Sequence, residues 1–247
     1  MSERLSGEAS DVRLAEVMRS RANVYEVLSR CYEVEMSASF AARICREFEI
    51  EGGTAVMERE LAAMRACLEG VDDAGIEMLS VTFDRVFFGM GPLTAKKAFP
   101  YESVYTSRKG LMMQDAYVAN VKLLRESRLE KRADFHEPED HLAVQFAYMA
   151  VLAERAAVAL DGGLQDVAED DAVKQRAFLD EHVLNWIDRF AIDAVEAAEE
   201  GFYVHLARFT EEFVKWDAEL LRDLLGESCD GGCSAEADGD AMGCGLS

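Results

Sequence analysis

The chain has 247 residues, of which half are apolar, 30% are charged and three are proline. That balance excludes a disordered, collagen-like or disulfide-framework protein. Its formal net charge of −22 repels phosphate backbones and anionic headgroups, so neither nucleic acid nor an acidic membrane is an expected partner, and a basic one is.

Helical periodicity runs from about Asp11 to Leu225. The first long segment places Leu14, Val17, Met18, Tyr25, Leu28 and Tyr32 at three- and four-residue spacing, the stripe of an amphipathic helix. Shorter helical stretches follow near 37–49, 54–69 and 72–88, with Gly52, Gly53 and Gly70 marking the breaks. The segments 109–129, 138–160, 171–200 and 202–225 carry the same period, the last through Phe202, Leu206, Phe209, Phe213, Trp216, Leu220 and Leu224. No stretch alternates with the period of two that a half-buried strand requires. The expected fold is all-α, a single multi-helix domain over residues 1–225 with its stripes buried against one another. Two places break the pattern: the stretch from Gly89 to about Val104, too long for a simple helix–helix joint, and the tail 226–247.

No apolar run approaches the roughly 20 residues that span a bilayer, so stable membrane insertion is not expected. The amino terminus lacks the basic-then-apolar design of an export signal, and the expected compartment is the cytoplasm. There, Cys31, Cys45 and Cys67, all inside helical patterns, are expected to be buried thiols. The tail has six glycines, five acidic residues and three cysteines, too little apolar content to offset ordering entropy, and reads as disorder in isolation. Cys229, Cys233 and Cys244 are thiolate donors that suit a soft metal, yet a fourth ligand is missing from their spacing. A metal-binding or cofactor-delivering protein, with these cysteines and His136 or His182 as ligands, is the alternative function.

Catalytic signatures are missing. There is no Gly-x4-Gly-Lys-Ser/Thr phosphate loop, and Gly89 to Thr94 is not a dinucleotide fingerprint. None of the four histidines follows a glutamate by three positions, which leaves a di-iron helical-bundle site unsupported. The chain reads as a non-enzyme.

Two constellations stand out. His136, Glu137, Pro138, Glu139, Asp140 and His141 precede an amphipathic run. Helix initiation, with Pro138 in the first turn and Glu139 and Asp140 at the positive end of the dipole, is the leading explanation. It leaves Glu137 and His141 over, and a carboxylate cluster of this kind can receive guanidinium groups in paired, charge-assisted hydrogen bonds. The second constellation carries Phe83, Val86 and Phe87 into a glycine- and proline-bearing loop, then Phe99, Tyr101, Ser103 and Tyr105. Such aromatic stripes are usually core; the functional alternative is an apolar groove that accepts a helix or an apolar segment.

In order along the chain, Phe-Phe-Gly-x-Gly-Pro-Leu (87–93), Pro-Tyr-x-Ser-Val-Tyr (100–105) and Glu-Pro-x-Asp-His-Leu-Ala (137–143) resemble the TorD/DmsD/NarJ family of redox-enzyme maturation chaperones. The resemblance extends over most of residues 14–225 and omits the cysteine-bearing tail. It implies a cytoplasmic all-helical chaperone that binds the twin-arginine signal peptide of an apo-molybdoenzyme catalytic subunit, holds it back from export and assists cofactor insertion. It carries peptide binding onto Asp140 and His141 with Pro138, onto Phe83, Val86 and Phe87, and onto the loop around Ser103. It also implies weak guanine-nucleotide binding, which no motif here supports independently, and leaves monomer and homodimer both open. The residues suit such a leader: its arginines call for the carboxylates of Glu137, Glu139 and Asp140, and its apolar body for Phe83, Val86 and Phe87.

Overall fold

The computed structural model describes residues 2–50 and 52–227. Among them lie ten α-helices: α1 (Ser2–Glu33), α2 (Ala38–Glu47), α3 (Ala55–Leu68), α4 (Asp73–Phe87), α5 (Glu102–Thr106), α6 (Asp115–Glu126), α7 (Leu142–Asp161), α8 (Gln165–Phe178), α9 (Ile187–Ala198) and α10 (Phe202–Leu224). No strand occurs among the described residues; one isolated bridge joins Tyr101 and His141. The all-α expectation holds.

Local chemistry sets several of the helix starts. The side chains of Ser37, Thr54 and Asp72 accept the N–H of Phe40, Met57 and Gly75 at 3.2, 3.2 and 2.9 Å, each relieving one unpaired donor of a first turn. The chain leaves α4 through Gly89, whose φ of +70° places it in the left-handed region, and a Cβ there would meet Phe99 Cζ at 2.9 Å. Glycine is required on both counts.

At the centre, α7 lies along α1 and is covered on another side by α8, while α10 packs on α3 and α9. Leu142, Phe146, Met149, Leu152, Ala153, Ala156 and Ala157 of α7 are all buried, and the alanines let its neighbours approach closely. This helix overturns one sequence expectation: its 20 residues are long and apolar enough to cross a membrane by length and composition. Most of that apolar surface is covered by the rest of the fold, as in the core helix of a helical bundle. An aromatic cluster of Tyr25, Tyr32, Phe83, Phe87, Phe146, Phe190 and Tyr203 fills the middle of the molecule. Beside it a buried ion pair crosses from α1 to α10: Arg21 donates to Asp217 at 2.5 and 2.8 Å, and the Tyr25 hydroxyl donates to the same carboxylate at 2.6 Å.

Three local readings are corrected. The stretch 171–200 is not one helix but the end of α8, a π-helical turn over Leu179–Val183 and α9. The turn shows in the bond from Leu184 N–H to the Leu179 carbonyl at 2.8 Å. The break read from Gly89 to about Val104 stands, with no helix between Phe87 and Glu102 and the short α5 starting only at its end. Pro138 does not open a helix: α7 begins at Leu142 with His141 as its N-cap, so Glu139 and Asp140 lie before the helix and not in its first turn. Of the cysteines expected to be buried, Cys31 is, and burial pushes its thiol up to about 12; Cys45 and Cys67 are only half-buried.

Candidate functional site

The approach to α7 is clamped to the approach to α5. Leu142 N–H donates to the Pro100 carbonyl at 2.8 Å, and Glu102 N–H to the Asp140 carbonyl at 3.0 Å. Asp140 Oδ2 accepts the Ser103 N–H at 2.9 Å, capping α5 from across the clamp. The Tyr101 hydroxyl donates to Glu137 Oε2 at 2.5 Å. His141 Nδ1 accepts the Ala143 N–H at 3.1 Å, and its ring is held edge-on between Tyr101 and Phe135 at centroid distances of 4.9 and 5.3 Å. Asp140, His141 and Ser103 have essentially no solvent exposure. Burial, with the nearby Lys131 cation, lowers the His141 imidazole to about 3, so it stays neutral. Burial raises the Asp140 carboxyl against the hydrogen bonds from Ser103.

A second polar layer lies behind this clamp. The buried Glu102 carboxylate accepts Asn120 Nδ2 at 2.9 Å and Gln145 Nε2 at 2.7 Å, and meets His182 Nδ1 at 3.1 Å. The π-helical turn carries His182 to this position, and Trp186 Nε1 donates to its carbonyl at 2.7 Å. Four elements (α5, α6, α7 and the turn) are thus joined through one carboxylate, an arrangement that fixes their register because leaving any member unpaired would be costly.

The expected residues therefore divide. Asp140, His141 and Ser103 come together, but as interior bracing; neither Asp140 nor His141 presents an accessible face to a guanidinium. Phe83, Val86 and Phe87 point inward. Phe87 packs against Tyr32, Phe83 and Tyr203 at 5.5, 5.2 and 5.6 Å between centroids. They form core, and line no open groove, because the helix period that aligns them also turns them onto α1 and α9. Glu137, Pro138 and Glu139 are half-buried at the surface. Among the described residues no cluster of three or more histidine, cysteine or acidic side chains is arranged to hold a metal; Cys229, Cys233 and Cys244 lie outside the described residues.

An open apolar cleft exists elsewhere, between α1, α6 and α7 beneath the loop 127–136. It measures about 280 Å³, with Leu124, Leu129, Phe135, Val144, Tyr148 and Val151 on its walls and Glu33 and Glu130 at its edge. A second cleft of about 420 Å³ shares that loop and extends to His136 and Glu139. Sequence reading missed this site: Leu124, Val144 and Val151 are ordinary members of helical stripes, and only the packing of α6 away from α7 leaves Leu124 and Val151 partly uncovered above the buried Val144. Glu139, which lines the second cleft, is the part of the site that the sequence did single out.

The loop over the cleft begins with a tight helix end. Leu129 N–H donates to the Leu124 carbonyl at 2.8 Å and Arg128 N–H to the Arg125 carbonyl at 3.0 Å, the paired bonds of a Schellman cap, with Arg128 at φ +56° in the place glycine usually takes. Lys131 reaches the Glu137 carbonyl and lies 3.8 Å from Glu139, and Arg132 pairs with Glu33 at 2.9 Å.

An all-helical protein whose buried polar groups brace its own interior, and whose open cleft has apolar walls with glutamates and basic side chains together at its rim, has the build of a binding module. The sequence profile of the nitrate reductase delta subunit family matches residues 53–191, and the chain belongs to that family. It is similar to the chaperone protein TorD of Shewanella pealeana, 27% identical over 87% of this chain and 95% of that one. With the TorD chaperone of Photobacterium profundum it shares 31% identity over 71% of this chain and 78% of the relative. A solved structure of a proposed redox enzyme maturation protein from Archaeoglobus fulgidus aligns over 80% of this chain and 94% of its own, with 16% identity and a TM-score of 0.43. The chain is a chaperone of this family.

Proposed function

We propose that this chaperone acts without catalysis in the cytoplasm on the apo-form of a molybdoenzyme catalytic subunit, binding its twin-arginine signal peptide and holding it back from export while the cofactor is inserted. The observation that carries the reading is the cleft between α1, α6 and α7: apolar walls, with glutamates at the edge that the loop's own Lys131 and Arg132 already meet, on a chain of net charge −22. The leader's arginines pair with Glu33, Glu137 and Glu139, and its apolar body lies on Leu124, Val144 and Val151. Pro138, Asp140, His141 and Ser103 are positioning residues that set where the acidic strip emerges, while Phe83, Val86 and Phe87 support the fold from inside. The reading assigns no resident cofactor, no guanine-nucleotide role and no metal, and suits a monomer or a homodimer.

A charge-assisted arginine–carboxylate bond contributes about 1.5–3 kcal/mol, and a fully buried leucine or phenylalanine about the same. Two of each bring the roughly −8 kcal/mol of a micromolar complex within reach. Calorimetry with a synthetic twin-arginine leader, against the same peptide with both arginines replaced by glutamine, tests the proposal. The expected result is micromolar or tighter binding that weakens at least tenfold with the glutamine peptide. Equal affinities overturn it.

A further inference from the structure

The cleft is not bare. The loop above it reads Leu129, Glu130, Lys131, Arg132, Ala133, Asp134, Phe135: two adjacent cations, with an apolar side chain two residues before them and an aromatic one three residues after. Each part meets the complementary part of the site. Lys131 binds the Glu137 carbonyl and lies by Glu139, Arg132 pairs with Glu33, and Leu129 and Phe135 pack against the core from the cleft. We infer that residues 129–135 are an internal stand-in for the client leader, a tethered basic-apolar segment that occupies the cleft until a twin-arginine peptide displaces it. This inference rests on the function proposed above and adds its regulation: affinity is set by a competition, and only a leader that supplies both the charges and the apolar contacts wins it.

The loop is built to leave. Leu129 is tied by a backbone bond to Leu124 of α6 and Phe135 only to Arg132 within the loop, while none of the five N–H groups between them donates a backbone–backbone hydrogen bond among those described; segments held this sparsely open at low cost. Arg132 keeps 66% of its side chain accessible and shares its guanidinium between Glu33 at 2.9 Å and the loop's own Asp134 at 3.0 Å. Arg128, strained in the left-handed region, gains backbone freedom when the loop lifts.

Two readouts test the inference on the full-length chain. In calorimetry with the twin-arginine leader, Lys131→Gln/Arg132→Gln is expected to bind about tenfold tighter than wild type. Arg108→Gln/Lys109→Gln, which removes the same charge from an exposed loop elsewhere, is expected to change affinity less than twofold. In hydrogen exchange, adding leader to wild type is expected to speed exchange of the Leu129 amide, whose bond ties the loop to α6, and to leave the loop's other amides no slower, whereas a lid that closes over the peptide would slow them. Leader binding with an unchanged or weakened loop variant, an equal gain in the charge-matched control, or slower exchange at those amides overturns the stand-in and leaves the chaperone reading intact. Leader binding to none of the three proteins removes both.

Discussion

Phe87→Ala separates the two candidate seats of an apolar leader, α4 and the cleft beneath the 127–136 loop. Phe87 is 1% exposed and contacts the rings of Tyr32, Phe83, Phe190 and Tyr203 at 5.5, 5.2, 6.1 and 5.6 Å between centroids. Truncation removes the ring's transfer free energy and leaves a cavity that four rigid aromatic neighbours are slow to fill. Phenylalanine-to-alanine changes in cores cost about 3–5 kcal/mol, and edge-to-face partners place this one in the upper half of that range. Against a total stability on the order of 5–15 kcal/mol the variant is severely weakened, and Phe87→Leu, expected to cost about 1–2 kcal/mol, keeps a folded comparison. Urea unfolding followed by circular dichroism reads the loss, and calorimetry on the folded Phe87→Leu protein reads leader affinity, expected within twofold of wild type. A stability loss below about 1 kcal/mol for the alanine variant, together with leader binding weakened in both, would refute the placement of Phe87 in the core.

Further predictions concern the interior and the loop. The native state holds His141 neutral with its imidazole lowered to about 3 from 6.5, while the unfolded chain takes up a proton below pH 6.5. This contribution is fully present above pH 6.5 and lost as pH falls toward 3, at about 1.4 kcal/mol per unit. His141→Gln should therefore lose about 2 kcal/mol less than wild type between pH 6.5 and 5 in matched urea titrations; parallel pH curves would contradict the buried neutral imidazole. Neighbouring Asp140, raised by burial, acts in the opposite direction in both proteins and cancels from the difference. Asp217→Ala, which strands the buried Arg21 guanidinium, should cost about 3–5 kcal/mol in the same assay, and a loss under 1 kcal/mol would show that solvent reaches the pair. Arg128→Gly should raise the unfolding midpoint, with a gain of about 0.5–1 kcal/mol from relieving the left-handed cap; a loss would mean that the Arg128 side chain itself holds the loop.

The sequence made the helices legible because their apolar spacing is strong where they are amphipathic: α1 and α10 carry stripes that no strand could bury. It was less clear where two helices meet without a glycine or proline. Nothing in local chemistry separates α8 from α9, since the π-helical turn is stabilised by what His182 and Trp186 reach in three dimensions. Short helix α5 is likewise set by a distant residue, its first turn capped by Asp140 and not by a neighbour. The same long-range pairing explains why the acidic approach to α7 was only half read. Its composition pointed to cations, but which carboxylates turn inward depends on Ser103 and Tyr101, far away in sequence. Phe83, Val86 and Phe87 illustrate the opposite case: the residue pattern allowed core or groove, and packing against Tyr32 and Phe190 decided for core. The cleft itself has no sequence signature, because a partly uncovered stripe looks like a covered one until its neighbour's position is known.

The most direct test of the central claim places a photo-reactive phenylalanine analogue in a twin-arginine leader just after its arginines, cross-links it to the full-length chain and identifies the acceptor residues by mass spectrometry. The account predicts acceptors on Leu124, Val144, Tyr148 and Val151, between α1, α6 and α7. Cross-links concentrated on α4, around Phe83 and Phe87, would contradict it.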